Sequence, residues 1–85
     1  MSNNSEVRST STARFEQSAK PMRFENIRPG SYFMIEAEPS RGVRKSNDQR
    51  MYRKAFDGFY STVVANGAGA VLMPFDIVVP FRRKA

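Results

Sequence analysis

The chain has 85 residues, carries 14 Lys and Arg against 8 Asp and Glu for a formal charge of +6, and contains neither cysteine nor histidine. A chain this short builds one domain. Without Cys or His, disulfides, the common zinc sites, Cys–His nucleophiles and Ser–His–Asp triads are excluded, and acidic partners such as nucleic acid head the classes that remain.

The N-terminal stretch holds no apolar segment of signal-peptide type, and no run of about 18 uncharged apolar residues occurs anywhere, which predicts a soluble, cytoplasmic protein with no membrane contact. Residues 2–18 are dominated by Ser, Thr and Asn, with Val7 and Phe15 as the large apolar side chains. That composition cannot offset the entropy of ordering the chain. It predicts a disordered polar arm over 1–20 and a folded domain over 21–85, and deletion of residues 1–18 is expected to leave the melting temperature almost unchanged.

The domain opens at Arg28-Pro29-Gly30, a Pro-Gly turn that delivers the chain into a first strand over 31–38. There Phe33, Ile35 and Ala37 share one face and Glu36 and Glu38 the other, the period-2 pattern of a half-buried strand. Residues 40–50 are polar and charged and read as a long exposed loop. A second strand is expected over 51–56. Asp57-Gly58 between aromatic residues is a strong hairpin signal, with both residues at positive φ, and it places a third strand over 59–65. Asn66-Gly67-Ala68-Gly69 is a second turn rather than a phosphate-cradling loop, because a strand and not a helix follows it. A fourth strand over 70–73, a corner at Pro74-Phe75-Asp76 and a fifth strand over 77–81 complete the chain.

Five short strands and no helix predict an all-β domain, a small five-stranded SH3-like barrel that covers its edges by bending strongly. An OB-fold ranks second, since it usually inserts a helix between strands three and four, where this chain has a tight turn. Phe33, Phe56, Phe59, Phe75 and Phe81 are expected to fill the core. Three stretches together, Phe24-Glu25-Asn26-Ile27-Arg28-Pro29-Gly30-Ser31-Tyr32-Phe33, Tyr52-Arg53-Lys54 and Asp76-Ile77-Val78-Val79-Pro80, resemble short SH3-like barrel proteins of bacteriophage. The resemblance implies the barrel fold and a viral origin, and it implies no activity.

Charge is concentrated in the long loop and the strand after it. Residues 39–54 hold Arg41, Arg44, Lys45, Arg50, Arg53 and Lys54 against Asp48, a local +5. Cations around an exposed loop neutralise phosphates and release counterions, and Tyr52 beside Arg50 and Arg53 is placed to stack on a base. Arg82, Arg83 and Lys84 form a second basic cluster at the end of the chain. The glutamates Glu36 and Glu38 read as a solvated face, and Asp57 and Asp76 as turn residues. No cofactor or metal is expected, and no catalytic set can be named. The leading expectation is a non-enzymatic nucleic-acid-binding module that contacts DNA or RNA through backbone phosphates. The alternative is a small protein-binding module or inhibitor that docks on an acidic host protein by an edge strand or patch. An oligomer of several barrels is a third class.

Overall fold

A computed structural model describes residues 13–56 and 58–84. Among them the fold is all-β, with one antiparallel sheet of seven strands: β1 (Phe15–Gln17), β2 (Met22–Arg23), β3 (Tyr32–Ala37), β4 (Tyr52–Lys54), β5 (Tyr60–Val63), β6 (Gly69–Val71) and β7 (Ile77–Arg83). The order across the sheet is β1-β7-β3-β4-β5-β6, with β2 also paired to β7. The five expected strands are present as β3 to β7, but the sheet has seven strands and is not a closed barrel.

The two additional strands lie at the N-terminal side of the domain, one of them inside the stretch whose composition reads as a disordered arm. Residues 1–12 of that arm lie outside the described residues. From Phe15 onward the chain is folded, because the C-terminal strand runs on past Phe81 and offers it an edge: Phe15 pairs with Arg83 and Gln17 with Phe81. Further along β7, Met22 pairs with Val78. Between β1 and β2 the Ser18 N–H donates to the Pro80 carbonyl at 3.0 Å. In an antiparallel ladder the N and O of one residue face the same neighbour. Pro80 therefore turns its missing donor toward the gap between β1 and β2, where no ladder bond is lost.

The β2 strand leads into a 3-10 turn at Phe24–Asn26. The N–H groups of Phe24 and Glu25 donate to the carbonyls of Asp76 and Pro74, at 2.7 and 3.1 Å. These bonds tie the turn to the corner that follows β6 and curl the sheet around its core. The expected entry turn is present, with Gly30 at φ +87° and Ser31 N–H donating to Arg28 O at 3.0 Å. Gly58 takes φ +92°, as the hairpin requires; the same expectation for Asp57 lies outside the described residues.

The core consists of Phe24, Ile27, Phe33, Ile35, Tyr52, Val63, Leu72 and Val78. Phe33 is its centre, edge-on to Phe24 and stacked on Tyr52, each at 5.5 Å between ring centroids. Burying one such ring stabilises the fold by roughly 1.5–3 kcal/mol. Of the phenylalanines expected inside, only Phe33 is there. Phe56, Phe59 and Phe75 are exposed, and Phe81 is half-buried on the outward face of the sheet. Aromatic content indicated that rings are needed but not which ones. The 3-10 turn at Phe24–Asn26 supplies the second ring of the core, while the β4–β5 hairpin carries Phe56 and Phe59 beyond it.

Asp76 is more than a turn residue. It is fully buried and its carboxyl oxygens accept from Ser40 N–H at 3.1 Å, Ser40 Oγ–H at 2.8 Å and Met73 N–H at 2.9 Å. It pins a second 3-10 turn, Pro39–Arg41, to the corner before β7. Among the described residues no helix is long and apolar enough to cross a membrane.

Candidate functional site

The structure separates the basic residues of 39–54 into distinct groups. Arg44 and Lys45 are exposed, and among the described residues neither makes an ion pair. Arg41 lies 3.5 Å from Glu38. Arg50 grips Asp48 with both Nε and Nη2, at 3.0 and 2.8 Å. Two expected contacts are not available to a ligand. Tyr52 belongs to the core with 1% of its surface exposed, its ring stacked on Phe33 and its hydroxyl donating to Asp48 Oδ2. It cannot stack on a base. Lys54 is also buried, with Nζ 4.4 Å over the Phe24 ring and donating to the carbonyls of Phe24 and Ile27 at 3.0 and 2.6 Å. The same alternation that turns Arg53 outward turns both neighbours inward.

Burial pushes the Lys54 ammonium below its ordinary value, opposed in part by Glu25. Burial and the bond to Asp48 push the Tyr52 phenol upward. Burial by itself raises the Asp48 carboxyl, but hydrogen bonds from the Arg50 side chain, the Tyr52 hydroxyl and the Arg50 N–H outweigh it and hold the group at about 2 against an ordinary 3.8. A carboxyl with a depressed folded value stabilises the fold above its unfolded value and loses that contribution as it is protonated. Urea midpoints are therefore expected to fall between about pH 4 and pH 2 by an amount kept small by solvent screening. Asp48→Asn should flatten that part of the profile; an unchanged profile would show that the Asp48 cluster contributes nothing.

The Asp48–Arg50 and Glu38–Arg41 pairs form one wall of a cleft of about 350 Å3, with Ile35, Tyr52 and Leu72 among its lining and Gly69 to Val71 of β6 on the other side. Glu38 leaves the strand face it was expected to share with Glu36, because a register shift between Ile35 and Ala37 bends the end of β3. Gly69 accommodates the Tyr60 ring of β5, since a Cβ there would collide with the phenol.

On the outward face of the sheet, Tyr32 of β3 is flanked by Arg53 of β4 and Phe81 of β7. Arg53 is exposed and donates from Nε to Gly30 O at 3.2 Å. The Arg83 guanidinium lies 5.4 Å from the Tyr32 ring centroid and 5.6 Å from that of Phe15, and its Nε donates to Tyr32 Oη at 3.2 Å. Thr62 continues the row beyond Arg53. The C-terminal cluster is thus largely strand and not tail. Arg82 faces the other way, paired with Glu16 at 2.8 Å, and Lys84 N–H donates to Arg14 O at 2.8 Å, which brings Arg14 to the same end of the sheet. Sequence reasoning named Arg53 and Arg83 but missed Tyr32 and Arg14. The available signal for Tyr32 was its alternation with Phe33 and Ile35, which places it outside beside Met34.

Among the described residues no group of three or more potential metal ligands gathers at one place. No protein-family model, curated protein sequence or solved structure matches the chain.

Proposed function

We propose that this protein is a non-enzymatic nucleic-acid-binding module that uses the outward face of its sheet. One observation carries the reading: a half-buried tyrosine, Tyr32, lies on a regular strand surface beside Arg53 of the neighbouring strand and under the Arg83 guanidinium. Rings on a sheet face offer stacking surfaces to unpaired bases, and flanking cations meet the phosphates. Arg14 and Lys84 extend the positive charge at one end. The order β7-β3-β4-β5-β6 supports reading the scaffold as an opened SH3-like meander, extended by β1 and β2.

Single-stranded oligonucleotide binding is expected to weaken with salt, with a log–log slope of about −2 to −3 for three or four neutralised phosphates. Fluorescence anisotropy of a labelled oligothymidine across a potassium chloride series measures it. The double substitution Arg53→Gln with Arg83→Gln should reduce the slope more than Arg44→Gln with Lys45→Gln, which alters only the loop. Absence of binding at low salt, or a larger effect from the loop pair, would overturn the assignment to the sheet face.

A further inference from the structure

A different observation lies at the far end of the sheet. Among the described residues the path of strands ends at β6, which is paired on one side only. Val63 N–H donates to Ala68 O and Leu72 N–H to Phe59 O, so 68, 70 and 72 turn their backbone groups toward β5. By alternation, the N–H and C=O groups of Gly69 and Val71 turn away from it. Gly69 and Val71 both line the 350 Å3 cleft.

We propose that this cleft binds an extended acidic peptide segment, which adds to β6 as a further strand through the backbone of Gly69 and Val71. Three features select this occupant. The volume falls within the range of ligand sites, ~300–1,000 Å3, and the length of β6 corresponds to about 10 Å of extended chain. The cations stand at the mouth while the acids are recessed: the Arg41 and Arg50 side chains are 71% and 57% exposed, against 12% and 18% for Glu38 and Asp48. An approaching chain therefore meets guanidinium groups whose own partners lie behind them. Ile35 and Leu72 stand among the apolar lining residues of the cleft, with little of their own surface exposed. A second copy of this protein would bring its own +6 and its own wall beside β6; a single acidic chain brings neither.

This inference stands apart from nucleic-acid binding on the outward face, and the two fail separately. The probe is a capped pentapeptide alternating glutamate and valine, with a lysine–valine peptide as control, followed by amide chemical shifts of the full chain. Shifts and slowed exchange are expected at Gly69 and Val71, with the lysine peptide at least tenfold weaker. Arg41→Gln should weaken binding severalfold. Val71→Pro removes an outward N–H without breaking a bond to β5, and should lower affinity at least tenfold. Should that variant fold poorly, N-methylation of alternate peptide amides makes the same test on the unaltered protein. Equal binding of both peptides, shifts centred on Tyr32 and Arg53, or indifference to N-methylation would overturn the proposal. Self-association abolished by Val71→Pro would overturn it in favour of a second copy.

Discussion

Replacement of Asp76 by alanine is expected to lower the free energy of unfolding by about 3 kcal/mol, read as a reduced urea midpoint at constant slope. The carboxyl group is fully buried and serves three donors, two of them backbone N–H groups of Ser40 and Met73. Its removal leaves two backbone N–H groups and the Ser40 hydroxyl without their acceptor. Asp76→Asn is expected to cost roughly half as much, because Oδ1 still accepts from Ser40 N–H, whereas an amide nitrogen at the Oδ2 position cannot accept from Met73. The 3-10 turn at Pro39–Arg41 begins the cleft wall, so the same substitution should loosen Arg41 and Glu38. A loss below about 0.5 kcal/mol, the usual range for a surface turn residue, would return Asp76 to that role.

Phe15→Ala is expected to cost about 3 kcal/mol, at the low end for a buried phenylalanine because the ring sits on an edge strand. For a domain of this size that corresponds to a fall in Tm of about 10–20 °C. The ring is 6% exposed and packs at 4.8 Å on Tyr32, with Arg83 over both. Deleting residues 1–18 should cost at least as much, since it also removes the pairing of β1 with β7. Differential scanning calorimetry of the two variants decides the matter, and a truncated protein that melts with the full chain would show that β1 adds nothing. The same change should weaken oligonucleotide binding, because Phe15 backs the Tyr32–Arg83 contact.

Much of the fold is legible in the sequence because its signals are local. Alternation of Phe33, Ile35 and Ala37 with Tyr32, Met34 and Glu36 sets the faces of β3, and glycines at positive φ mark the turns at Gly30, Gly58 and Gly67. Five strands follow from these signals, as does the all-β class. Concentration of charge in the 39–54 region is equally a property of composition.

What only the tertiary structure decided is which of those residues reach the surface and which are buried. Phe15 lies in a segment too polar to fold alone; it is ordered by the far end of the chain, whose last strand offers it a partner more than 60 positions away. Tyr52 and Lys54 look in the sequence like members of a basic, aromatic binding surface, yet each satisfies its polar end inside, on Asp48 and on the carbonyls of Phe24 and Ile27. A side chain's neighbours along the chain determine its charge environment on paper. Its neighbours across the sheet determine whether it is desolvated, and those are set by pairings that no local pattern encodes.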